Sequence, residues 1–179
     1  MNLPKYLDYL QEVNYIVSGE NKYYNIEKFK SDNNGKLFIV GLSGSGKTTL
    51  GQNIAKKYKA KYIKLDKIDP GFTKEFSKDK YGKVYIEDLG KLFGKLIALK
   101  GKYVIEGIDI LYYDPNFFKD KPLIIMGTSI LISSIRAYVR NFEKHHHRAS
   151  RLQLIYDIYM NQKDFLRRLK EFEKVIEGR

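Results

Sequence analysis

The chain has 179 residues, 43% of them hydrophobic and 30% charged, a formal net charge of +12 and no cysteine. That length suits one domain around one core, and the lack of cysteine excludes disulfides and thiol chemistry. Met1–Gly19 carries polar or charged residues every few positions and nothing approaches the roughly 20 apolar residues of a membrane helix, so neither an export signal nor a membrane association is expected, and the cytoplasm is the expected compartment. The positive charge fits anionic partners, nucleotides and nucleic acids among them, without choosing between them.

In chain order, spacing predicts a short amphipathic helix over Lys5–Val13 and a strand over Asn14–Ser18. Lys22–Lys30 fits strand and helix equally, and Ser31–Gly35 is a turn by its chemistry. Residues 1–35 are expected to form an N-terminal extension packed on a main domain of residues 36–179. Leu37–Val40 is a continuous apolar run of the kind a strand buried on both faces requires, followed by a glycine-rich turn and a helix over Lys47–Tyr58. Lys61–Leu65 predicts a second strand ending at Asp66, and a loop then leads to a helix over Val84–Lys100. Tyr103–Ile105 and Leu123–Met126 predict two more strands, ending at Glu106-Gly107 and Gly127-Thr128. Ile130–Phe142 and Arg151–Ile176 are expected to be helical, the second with a break near Asn161. Strands alternating with helices predict an α/β fold, a three-layer α/β/α sandwich with a parallel sheet, whose ligands bind beyond the carboxyl ends of the strands.

The segment Gly41-Leu42-Ser43-Gly44-Ser45-Gly46-Lys47-Thr48 matches G-x-x-x-x-G-K-[ST] at every fixed position, between an apolar strand and a helix. Its glycines let the backbone curl so that N–H groups converge on phosphate oxygens, and the helix N-terminus adds partial positive charge there. Lys47 can reach the β- and γ-phosphates of a nucleoside triphosphate, and the Thr48 hydroxyl can ligate Mg²⁺.

Other candidates come from the strand ends. Asp66, with Asp69 beyond it, is placed to accept a proton from an attacking hydroxyl. Glu106 is a candidate for holding Mg²⁺, with Asp109 as a second carboxylate. Arg136 and Arg140 stand four apart and share a helix face, and Arg148 and Arg151 follow; guanidinium groups suit a phosphoryl group in transfer, and a segment bearing them can close over bound phosphates. His145-His146-His147 reads as a polar loop, since three neighbours on a helix cannot all face one ion.

On these residues the chain resembles the nucleoside-monophosphate-kinase-like group of phosphate-loop kinases, which includes adenylate, shikimate and gluconate kinases. The resemblance spans about Lys36–Arg151 and rests on Gly41–Thr49, Leu65-Asp66 and the later arginines. It implies a phosphate-loop NTPase fold, Mg-ATP as donor, and an arginine-bearing lid over about residues 136–151. The cofactors implied are ATP and Mg²⁺; the loop Gly41, Ser43, Gly44, Ser45, Gly46, Lys47, Thr48 and Thr49 with Arg148 would hold the nucleotide, Thr48 and Glu106 the metal, and Lys47, Asp66, Arg136 and Arg140 would act in transfer. Members of that group usually carry a fifth strand after the lid; here the chain is helical from Arg151, and Asn14–Ser18 is expected to fill that sheet edge. The loop after Asp66 offers lysines but no arginine, so an unphosphorylated acceptor such as a nucleoside or sugar fits as well as a nucleotide. The leading expectation is an ATP-dependent kinase acting on a small acceptor. The alternatives are a phosphate-loop ATPase or nucleotide switch, and a kinase of polynucleotide 5′ ends, which the net charge favours.

Overall fold

The computed structural model describes residues 20–67, 86–127, 133–139 and 151–178, with 67, 86–88, 151–157 and 159 described by backbone alone. The strands are β1 (Lys22–Tyr24), β2 (Lys36–Val40), β3 (Lys61–Lys64), β4 (Tyr103–Glu106) and β5 (Leu123–Ile125). The helices are α1 (Ile26–Ser31), α2 (Lys47–Lys57), α3 (Ile86–Ala98), α4 (133–139) and α5 (Arg151–Ile176).

One sheet holds all five strands in the order β1-β5-β2-β4-β3. The last four in that order are mutually parallel, and β1 pairs antiparallel with β5, Lys22 opposite Ile125 and Tyr24 opposite Leu123. The central strands are apolar throughout because both faces are covered. Leu37, Ile39, Val104 and Ile124 pack on one face with Phe29 of α1 and Ala55 of α2. Phe38, Val40, Ile105, Leu123 and Ile125 pack on the other with Leu92, Phe93 and Leu96 of α3 and Phe165, Leu169 and Phe172 of α5. This is a three-layer α/β/α arrangement with a mostly parallel sheet. Phe38, Phe93 and Phe118 meet edge to face with centroids 5.1–6.0 Å apart, and full burial of each ring is worth about 1.5–3 kcal/mol.

The parallel sheet expected from the sequence thus has one antiparallel edge. Lys22–Tyr24 forms that edge beside β5, and Asn14–Ser18 lies outside the described residues. The ambiguity of Lys22–Lys30 resolves as both elements: Asn25 sits in the left-handed region at φ 51°, a conformation asparagine tolerates, and turns the chain from β1 into α1. Its side chain donates to the carbonyl of Lys119 at 2.9 Å, tying the turn to the chain before β5. Helix α5 runs unbroken through Asn161, which is exposed, while Ile158, Gln162, Phe165, Leu166 and Leu169 bury one face at helical spacing. Two 3₁₀ turns after β4, Ile108–Tyr112 and Pro115–Phe118, were not apparent from periodicity. No described helix is long and apolar enough to cross a membrane.

Candidate active site

Because β2, β4 and β3 are neighbouring parallel strands, their carboxyl ends lie together, and the residues leaving them converge on one cleft of about 1100 Å³. The loop leaving β2 supplies Ser43, Gly44, Gly46, Lys47, Thr48 and Thr49 to its wall. Lys64 and Asp66 arrive from β3, Glu106, Gly107 and Ile108 from β4, and Arg136 from α4. Gly41 and Ser45 are buried at the loop and do not line the cleft.

The loop's shape follows from its glycines. Gly44 and Gly46 have φ of 85° and 91°, the left-handed region that side chains avoid. A Cβ on Gly44 would stand 2.7 Å from the Ser133 carbonyl oxygen, so α4 packs directly against the loop. The Lys47 ammonium donates to the carbonyls of Gly41 at 2.8 Å and Leu42 at 2.9 Å, folding back over its own loop. Arg136 donates from Nη1 to the Gly44 carbonyl at 3.3 Å, which brings the arginine of α4 to the same loop.

Glu106 is the most constrained group in the cleft, with 1% of its surface exposed. Strand alternation turns it toward α2, where its Oε1 accepts from the Thr48 hydroxyl at 2.7 Å and from the Tyr62 hydroxyl at 2.5 Å. The Lys64 ammonium lies 3.9 Å from that oxygen and 3.4 Å from Asp66 Oδ2. Glu106 Oε2 is buried without a hydrogen-bond partner among the described residues. An orphaned buried carboxylate oxygen is costly, and it is relieved by a cation or by water. Burial, together with the hydrogen bond it donates to Glu106, raises the Tyr62 phenol above its ordinary value, so it remains a donor. The Thr48 hydroxyl and Glu106 carboxylate are hard oxygen donors of the kind Mg²⁺ takes and are the residues that would hold it. No group of three or more acidic, histidine or cysteine residues that could hold a metal by itself occurs among the described residues.

Asp66 occupies the expected place at the end of β3, half-exposed with 57% of its side chain accessible. The structure therefore brings Lys47, Thr48, Asp66, Glu106 and Arg136 to one cleft. Asp109 lies in the 3₁₀ turn after β4 and does not line it. Asp69, Arg140, Arg148 and His145–His147 lie outside the described residues. Sequence reasoning missed Tyr62 and Lys64. Alternation puts both on one face of β3, but their closeness to Glu106 comes from the register, which sets Lys64 beside Glu106 and Tyr62 beside Val104.

No protein-family model and no curated protein matches the chain. Among solved structures it is similar to a shikimate kinase from Acinetobacter baumannii in complex with shikimate, at 15% identity, over 79% of this chain and 82% of that one, with a TM-score of 0.46.

Proposed function

We propose that the chain is an ATP-dependent kinase that transfers the γ-phosphate to a small-molecule acceptor. The observation that carries this reading is the meeting of the phosphate loop with a buried carboxylate: Thr48 and Glu106 joined at 2.7 Å, with the second Glu106 oxygen unmatched, in a cleft lined by Lys47, Asp66 and Arg136.

In this reading the loop from Gly41 to Thr49, with Ser43 and Ser45, holds the donor's phosphates through backbone N–H groups. Lys47 exchanges its two carbonyl acceptors for β- and γ-phosphate oxygens, a switch favourable because the new partners carry full charge. Thr48 and Glu106 would hold Mg²⁺, which when bound neutralises charge between the β- and γ-phosphates. Arg136 leaves the Gly44 carbonyl to meet the phosphoryl group in transfer, and Arg140 and Arg148 belong to the same proposed lid. Asp66 takes the proton of the acceptor hydroxyl as its oxygen bonds to the γ-phosphorus, and the bond from that phosphorus to the bridging oxygen breaks to release ADP. Lys64 is ion-paired to Asp66 at 3.4 Å and so helps to position the carboxylate.

The test is label transfer from γ-labelled ATP with Mg²⁺ to nucleosides, nucleoside monophosphates, small sugars and 5′-hydroxyl oligonucleotides, with Lys47→Ala beside the wild type. A labelled small molecule that disappears in the variant is the expected result. Phosphate release with no labelled acceptor would turn the reading to a hydrolase or switch, and label only on oligonucleotides to an end kinase.

A further inference from the structure

The carboxyl end of the sheet is occupied by the proposed reaction, while the amino end carries a second concentration of charge that the reaction does not use. Lys36 opens β2, Lys61 opens β3 and Lys102 stands immediately before β4, so parallel pairing gathers all three at one end. Helix α2 runs back from the phosphate loop to that end and delivers Lys57 and Lys59, and Lys100 follows α3. The ammonium groups of Lys36 and Lys61 lie 5.2 and 5.7 Å from the centroid of the Tyr103 ring. The Lys102 ammonium lies 5.1 Å from the Phe29 centroid and 5.9 Å from that of Tyr58, which Lys57 approaches to 5.5 Å. Tyr103, on the α3 and α5 face of the sheet, thus carries two of these ammonium groups, and Phe29 and Tyr58, on the α1 and α2 face, carry the other two.

No salt bridge neutralises this end of the sheet: among the described residues none of these six lysines pairs with a carboxylate, and Asp32 acts on Lys36 only through its nearby charge. Residues 20–67 hold eleven lysines against four acidic residues, so the chain's excess charge is concentrated in the segment that builds this end. Lys36 is nearly buried, satisfied by the carbonyls of Asn34 and Gly101, and burial pushes its ammonium below the ordinary lysine value. Lys59 has φ 53°, at a position just past a helix where glycine is the usual occupant. The helix dipole accounts for cations at the end of α2 but not for those at the strand starts, because sheets have little net dipole.

We propose that this amino-terminal pole is a docking surface for the phosphate backbone of a nucleic acid. The rings lie under ammonium groups, so bases do not gain a free stacking platform and recognition runs through phosphates without regard to sequence. A membrane surface fits less well, since stable association adds buried apolar side chains to charge, and near the pole only Ile97 exposes one among the described residues. The pole lies the length of β2 from the phosphate loop, roughly 15 Å at the rise of a strand, so a bound backbone is tethered to the protein rather than presented as the phosphate acceptor.

The experiment is fluorescence anisotropy of a fluorescein-labelled single-stranded 20-mer, DNA and RNA in turn, titrated with the full chain between about 50 and 300 mM salt. Two triple variants are compared, Lys57→Gln/Lys59→Gln/Lys61→Gln at the pole and Lys91→Gln/Lys163→Gln/Lys170→Gln elsewhere, which change the net charge equally. Thermal unfolding establishes that both are folded. The pole variant is expected to bind on the order of tenfold more weakly at 100 mM salt and to lose about two units of the slope of log K against log salt, while the other variant stays within about twofold of wild type. Equal loss in both variants would overturn the proposal in favour of diffuse charge. So would absence of binding at 50 mM salt, or salt-sensitive binding to phosphatidylserine vesicles without binding to the oligonucleotide.

Discussion

At the carboxyl end of the sheet, one buried carboxylate accepts hydroxyl donors from two elements, and each charged group of the cleft has a named partner within 4 Å. At the amino end, lysine ammonium groups lie over aromatic rings on both faces of the sheet, and among the described residues none of them forms a salt bridge. The first arrangement works by convergence, so removing one member leaves the others misdirected or unpaired. The second works by addition, so each member counts for little and the sum counts for much. Substitutions should therefore act steeply at one end and gradually at the other.

The largest effect is expected at Lys47. Lys47→Ala should lower label transfer by about 10²–10³-fold or more, as loss of one charge-stabilising donor does elsewhere, while the unfolding temperature moves little. Glu106→Gln tests convergence itself. Its amide oxygen can still accept from Thr48 and Tyr62, so ligand-free stability should be kept or slightly raised while transfer falls by about 10²-fold, assayed across a Mg²⁺ series. A large drop in unfolding temperature would instead make Glu106 a structural hub, and the contrast between the ends would fail.

Next in size come the loop glycines, which share a left-handed φ and differ in their surroundings. Gly46→Ala should cost about 1–2 kcal/mol from backbone strain alone, having open space around it, and Gly44→Ala more, because the new methyl meets the Ser133 carbonyl. At about 2–4 °C per kcal/mol, calorimetry separates the two. If they cost the same, α4 is not seated on the loop as described.

The last effect concerns pH. The raised phenol of Tyr62 means the folded state keeps a proton that the unfolded chain releases above about pH 10. There the unfolded state binds fewer protons, so stability falls as pH rises, and it is fully present below pH 10. Tyr62→Phe should lose stability at neutral pH by roughly 1–3 kcal/mol, the worth of a hydrogen bond to a charged group, and show a shallower decline from pH 10 to 11 in denaturant titrations.

Much of this was legible beforehand, for identifiable reasons. The strands buried on both faces announced themselves as apolar runs, and the phosphate loop by glycines whose backbone few other residues can adopt. Asp66 and Glu106 could be located because strand ends in a parallel sheet are where side chains meet. What stayed hidden depended on register. Nothing in Lys61–Lys64 read alone says that Tyr62 reaches a carboxylate forty-four residues away, and pairing of β1 with β5 joins residues about a hundred apart. The 3₁₀ turns after β4 were also invisible, because elements of four or five residues are too short to express a period.

The antiparallel edge has a bearing on how the chain assembles. Strand β1 has no partner until β5 exists, and its outer ties, Lys22 to Glu173 and Glu177 and Tyr24 to Glu177, reach residues still further on. Contacts of such long sequence separation are entropically late, since the whole intervening loop must close first. The pairing of β1 with β5 is therefore expected to form late in folding. In the finished protein the same three-residue strand should be the first part of the sheet to exchange its amide hydrogens, ahead of β2 and β4 by orders of magnitude.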